Sequence, residues 1–406
     1  MHAIKQRMND QPAGAPRGRW ALFGYGFRPF FLAAGLAGLL LIPWWAASVA
    51  WGVALGTSWP ANLWHGHEML FGFIVAAIAG FMLTAVPSWT GARGFAGWPV
   101  AMLAALWGLG RVGIASSALW PPWLVAGLDL SFLPALAGFV LPALVRARNR
   151  NTPLLGVLAI LWLANLAFYW GIAQDDPSLA RHALLFAIDI VLLLVTVIGG
   201  RIIPAFTASA FKQHGISSPL HVWRSMTALA VLVMIAVAVI DLWRPESTAA
   251  GAVALAAALI QAVRLAQWRG LRTLQMPIVW VLHLAYLWLP LGLALKGLAL
   301  LGGLAFAAYY LHALAIGAAA TMIMGVMTRA SLGHTGRPLI VRPSIACAYG
   351  LLTAAAAVRV FGPAWGSSSY AGIILLAAGL WTAAFVLFLW VYGPMLVKPR
   401  ADGKSG

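Results

Sequence analysis

Twelve apolar runs divide this chain, each long enough to form a membrane-spanning helix, and no other feature limits its fold so strongly. They lie near 28–52, 67–90, 97–114, 121–145, 152–173, 180–200, 220–243, 248–267, 277–299, 303–328, 341–361 and 370–396. A helix crosses the hydrocarbon core in about 20 residues, whereas a barrel strand needs about half that and alternates apolar with polar. The runs match the first pattern and lack the second. Hydrophobic residues make up 62% of the chain and charged ones 9%, against roughly half and a quarter in soluble domains. With a mean hydropathy of +0.89, a water-soluble core cannot absorb this composition. The expected fold is all-α: a polytopic membrane protein of about 12 transmembrane helices. A basic tail over 1–27 precedes a single membrane domain over 28–396, and a short tail over 397–406 follows it. Residues 1–19 are polar and the first apolar run is too long for the h-region of a cleavable signal peptide. The longest connection, around 201–219, leaves no room for a soluble domain.

The formal net charge of +17 would fit nucleic acid if the cations clustered in one patch. They lie between the apolar runs instead. Twenty-one of the 26 Lys and Arg fall on the side that carries both termini. Only Arg111, Arg181, Arg244, Lys296 and Arg359 fall on the other. The positive-inside rule therefore puts both termini in the cytoplasm and reads the cations as topology signals facing membrane lipids, not nucleic acid. The one cysteine, Cys347, lies inside an apolar run, which excludes a disulfide framework and Cys-based zinc sites.

Chemistry concentrates in Trp64-His65-Gly66-His67-Glu68-Met69, at the outer end of the second run. The chain holds only 9 acidic residues and 9 histidines, yet two imidazoles and a carboxylate meet here at the edge of hydrocarbon, where unpaired ionisable groups are costly. On a continuous helix His65 and His67 face about 200° apart. They converge only if the helix starts near His67 and His65 stays extended, which Gly66 permits. His65 and Met69 share a face at i, i+4. Imidazole with thioether suits copper, and imidazole alone suits haem iron or copper. The plain alternative is an interfacial cluster, with Trp64 in the aromatic belt and the histidines hydrogen-bonded to headgroups.

His283 and His312 lie within spans. Small residues follow His312 (Ala313, Ala315, Gly317, Ala318), leaving a smooth face for a flat macrocycle or for another helix. Helical rise separates His283 and His312 by roughly 10 Å in depth, which disfavours one haem bridging them. Asp189 lies two turns below His182 in one span, a candidate proton relay, and Asp129 is a second intramembrane carboxylate without an evident partner. Arg201 and Arg329 end spans on the cytoplasmic side, where they can clamp carboxylates such as haem propionates or simply anchor at headgroup level. No P-loop, dinucleotide fingerprint, haem-attaching Cys-x-x-Cys-His or His-Glu-x-x-His motif occurs.

The run WHGHEMLFGFIVAAIAGFMLTAVPSWTG at 64–91 resembles the NnrS family of bacterial membrane proteins. FRPFFL at 27–32, GGRIIPAFT at 199–207, HLAYLWLPLGL at 283–293 and HALAIGAAATMIMGVMTRASLGHTGRPL at 312–339 are similar to further characteristic segments of that family, in the same order. The resemblance covers nearly the whole chain. It implies a twelve-helix protein of the bacterial inner membrane that contains haem, of b-type, and copper and acts in nitric oxide or nitrosative stress. The positions it carries over are His65, His67, His283, His312 and His334, with Arg201 and Arg329. Met69, Glu68 and His334 are further candidate metal ligands, and no catalytic residue is assigned. The leading expectation is binding or redox handling of nitric oxide or its iron complexes. The alternatives are a haem–copper oxidoreductase and a secondary transporter using intramembrane His and Asp, although no internal repeat relates the two halves.

Overall fold

Hydrocarbon offers no partner for a backbone amide, so each apolar run closes its hydrogen bonds within itself. The computed structural model describes residues 20–220, 222–365 and 370–404; most of the expected N-terminal tail lies outside them. Among the described residues all regular structure is helical. Twelve helices are long and apolar enough to cross a membrane: α1 (Phe27–Trp51), α2 (Ala61–Thr90), α3 (Trp98–Ala115), α4 (Pro122–Arg146), α5 (Leu154–Ala173), α6 (Pro177–Gln213), α7 (Arg224–Trp243), α8 (Thr248–Ala266), α9 (Pro277–Gly302), α10 (Ala305–His334), α11 (Pro343–Ala364) and α12 (Tyr370–Val397). This is a multi-pass membrane protein.

Two elements differ from the sequence-based expectation. Helix α6 does not stop near residue 200 but continues to Gln213, through Pro204. What ends it is Gly215, whose φ of 66° no side-chain-bearing residue adopts without strain. Helix α2 starts at Ala61 rather than at His67, because Pro60 provides an extended approach and Ala61-Asn62-Leu63-Trp64 then wind directly. His65 is therefore helical, and the extended geometry that would let it meet His67 does not occur.

Four helices form the interior. The central windows of α2, α6, α9 and α10 are 83, 67, 72 and 67% buried, against 28 to 50% for the other eight. Helices α2, α6 and α10 touch one another, and α9 packs along α10. The start of α1 and the end of α12 meet at one end of the bundle. Ala21 N–H donates to Val397 O (2.7 Å), and Arg28 Nη1 donates to the carbonyls of Met395, Leu396 and Lys398 (3.2, 3.1 and 2.7 Å). This is the proximal end; α2 and α10 begin at the opposite, distal end.

Candidate functional site

A cavity of about 330 Å³ opens among α1, α2, α6, α10, α11 and α12 at the distal end. His65 and Met69 of α2 line one part of it and His312 of α10 another. The i, i+4 spacing brings His65 and Met69 into the same space. A 3₁₀ turn over Ala305–Ala307 precedes the regular helix, which starts only at Tyr310. His312 therefore sits nearer the distal end than its place in the apolar run implied, and shares a cavity with His65. The His65 ring stacks on Trp45 with centroids 4.1 Å apart. The Nδ1 atoms of both His65 and His312 are buried with no hydrogen-bond partner among the described residues.

Both histidines introduce the same backbone irregularity. A π-helix runs over Glu68–Ile74 shortly after His65, and another over Ala313–Ala320 starts immediately after His312. Thr321 Oγ1 donates to Ile316 O, five residues back (3.1 Å). Such wide turns are uncommon and concentrate at functional sites. The small residues after His312 are used for helix packing. A Cβ on Gly317 would collide with the Trp288 ring and one on Gly292 with Leu314, so α9 and α10 meet there at close range. The other residues around the cavity are mainly aliphatic and aromatic, among them Phe73, Leu184, Ile188 and Trp381. Arg181, Arg359, Tyr370 and Asn62 supply its remaining polar groups, and among the described residues no acidic one lines it.

His67 points away from this cavity. Its Nδ1 faces Glu68 Oε1 (3.2 Å), and its Nε2 faces Asn165 Oδ1 (3.0 Å) and Asp129 Oδ2 (3.3 Å). Arg111 bridges Glu68 (2.7 Å) and Asp129. Asn165 Nδ2 and Tyr169 OH donate to Asp129 Oδ2 (2.7 and 3.3 Å). Both imidazole nitrogens of His67 are thus committed inside a buried network that ties α2 to α3, α4 and α5. His67 and Glu68 hold bundle helices together and leave no free nitrogen beside His65.

The other candidate residues lie apart from the cavity. His283 Nε2 pairs with Thr207 Oγ1 (2.8 Å), and Gly270 presses against its ring. His334 stacks on Tyr25 (5.9 Å, 22°) at the proximal end. Arg201 donates to Asn151 Oδ1 (2.5 Å), and the Arg329 guanidinium lies 3.4 Å from the Phe206 ring centroid. Both arginines border separate proximal recesses and do not reach a group held at His65 and His312. Asp189 faces Asp241 and Lys296 instead of His182; Lys296 is ion-paired with Asp241. His182 borders a different recess with Trp243 and Pro245.

Sequence reasoning passed over Arg111, Asn165, Tyr169, Trp45 and Arg359. Signals existed for two of them: Asn165 is a lone amide in an apolar run, and Arg359 breaks one near its end. Among the described residues no group of three or more His, Cys, Asp or Glu is arranged to hold a metal. In comparisons with known proteins, the family model described as NnrS protein matches residues 21–400. No curated protein matches the chain.

Proposed function

Because this chain belongs to the NnrS family, we propose that it acts in the nitric oxide response as a haem-binding protein of the bacterial inner membrane, with His65 and His312 holding the haem. Family membership fits the nitric oxide role. The observation that carries the haem assignment is the pair of imidazoles lining one largely apolar cavity, each with a buried, unpartnered Nδ1. The donor set fits the group: two neutral nitrogen ligands for iron, an aliphatic and aromatic surround for a macrocycle, and cations rather than acids among the polar lining. A bound haem would supply an iron that changes oxidation state by one electron and takes nitric oxide once one of the two imidazoles gives way.

The chain's own residues then have separable tasks. Trp45 fixes the plane of the His65 ring by stacking. The π-turns set the rotation of His312 and of the α2 residues that follow His67. Leu184, Ile188, Phe73 and Trp381 exclude water from the cavity. The buried network around His67 braces α2 from behind.

Met69 favours a second reading of the same site. Two imidazoles and a thioether suit Cu(I), and His65, His312 and Met69 line one cavity. Haem and copper would compete for the same two imidazoles there. The transporter alternative relied on Asp189 and His312, but these face different surroundings: Asp189 the Asp241–Lys296 pair, His312 the cavity.

The test is the haem and copper content of purified single variants, with reduced optical spectra before and after nitric oxide. His65→Ala and His312→Ala are expected to lose most bound haem, whereas His283→Ala and His334→Ala keep it. Met69→Leu keeps haem if the cavity holds haem, and loses copper if it holds copper instead. Haem content unchanged in both the His65 and His312 variants refutes the assignment.

A further inference from the structure

We propose that the cavity recognises its ligand through carboxylates, with Arg359 as the principal clamp and Arg181 as a second one. The inference rests on the haem reading above and names the part of the group that this chain's arginines bind.

Three of the few distal cations have a carboxylate partner. Arg111 has Glu68 and Asp129, Lys296 has Asp241, and Arg181 has Glu246 at 3.2 Å. Arg359 has no carboxylate among the described residues. Its side chain is nevertheless buried, with 6% of the residue exposed. Nη2 donates to Tyr370 OH (2.6 Å), and the guanidinium lies over the rings of Tyr309 and Tyr370 at 5.1 and 5.2 Å. Nε and Nη1 are buried without an acceptor among the described residues. A buried guanidinium with donors unused is costly, because it gives up water without gaining a counter-ion.

Arg359 lines the His65–His312 cavity, where no acidic residue among the described ones answers it. The aromatic stacking holds its planar fork in place, and a planar fork pairs bidentately with a carboxylate. Arg181 lines the same cavity, but 52% of its side chain is exposed and its partner Glu246 is 71% exposed. Such a surface pair is weak, so Arg181 can exchange Glu246 for a ligand. Two cations facing one otherwise uncharged cavity suit a ligand with two carboxylates and an apolar body, which describes a porphyrin with its propionates. A bare copper ion leaves Arg359 unanswered.

The experiment is a Soret-band titration of haem-free protein in detergent with haem and, separately, with haem dimethyl ester, which has the same iron and ring without the carboxylates. The unaltered protein is expected to bind haem about 10- to 100-fold more tightly than the ester, the range that one or two charged hydrogen bonds supply. Arg359→Gln should remove most of that preference by weakening haem and sparing the ester. Arg359→Lys should restore part of it, and Arg181→Gln should cause a smaller loss. Equal affinity for the two porphyrins in the unaltered protein overturns the clamp and leaves the haem reading standing. Arg359→Gln and Arg359→Lys weakening both porphyrins equally marks Arg359 as a packing residue and likewise overturns the clamp. Uptake of neither porphyrin overturns the haem reading and the clamp together.

Discussion

His65 and His67 are two positions apart and have opposite fates. At helical spacing they cannot share a ligand; His65 faces the cavity while His67 is bonded through both nitrogens. Gly66 between them serves a close approach, since a Cβ there would meet Leu184 Cδ1 at 2.9 Å. The network around His67 predicts an effect on stability more than on haem binding. Arg111→Met leaves the Glu68 and Asp129 carboxylates buried without their cation, and removing one partner of such a set costs about 3–5 kcal/mol. Thermal unfolding in detergent checks this, and a midpoint equal to that of the unaltered protein counts against the network. Lys296→Met is expected to act similarly by stranding Asp241 beside Asp189. The sequence singled out His65, Met69 and His312 through residue type and spacing. Asn165 stands out as a lone amide, but that it and Tyr169 pair with His67 could not be read, because they come from another helix 98 residues or more along the chain and only tertiary packing selects them.

At the level of elements, all twelve spans were legible because hydropathy and length decide a membrane helix almost alone. The π-turns were not, since they depend on how neighbouring helices press on α2 and α10. They make a prediction of their own. The π-turn absorbs one residue more than an α-helix over the same span, so deleting Ala319 closes the Ala313–Ala320 segment as α-helix with His312 facing nearly as before. Haem uptake should survive that deletion, whereas adding one alanine beside Ala319, which the widened turn cannot absorb, turns His312 by about 100° and should abolish uptake as in His312→Ala. Loss of uptake in the deletion variant, with helix content by circular dichroism unchanged, would contradict this role of the turn. The end of α6 was also misjudged: Pro204 reads as a stop signal, yet Thr207, one turn beyond it, bonds back to Ile203 O (2.8 Å) and the helix continues.

Across the whole molecule, the two ends of the bundle have different chemistry. The distal end has the cavity and an arginine unanswered by any described carboxylate; at the proximal end the start of α1 meets the end of α12. There Arg400 donates to His334 O (2.7 Å) and pairs with Asp402 (2.6 Å). That pairing holds the Asp402 carboxyl down at about 2, below its usual value near 3.9. A depressed carboxyl stabilises the fold above its unfolded value, and the contribution disappears as pH falls through the folded value. The Arg400–Asp402 pairing should therefore persist at pH 5 and be lost only as pH falls toward about 2, as followed by the carboxyl carbon shift of Asp402 in nuclear magnetic resonance; protonation of Asp402 near pH 5 would contradict the pairing. The positive-inside count predicted both termini on one side, and the Ala21–Val397 and Arg28 contacts place the start of α1 and the end of α12 together.

The decisive measurement is a haem titration of the purified haem-free protein followed in the Soret band, with the His65→Ala/His312→Ala double variant alongside. Saturation at a single haem per chain in the unaltered protein, with no saturable uptake by the folded double variant, is the predicted result. A double variant that takes up haem as the unaltered protein does would place the haem elsewhere and contradict the assignment of the distal cavity.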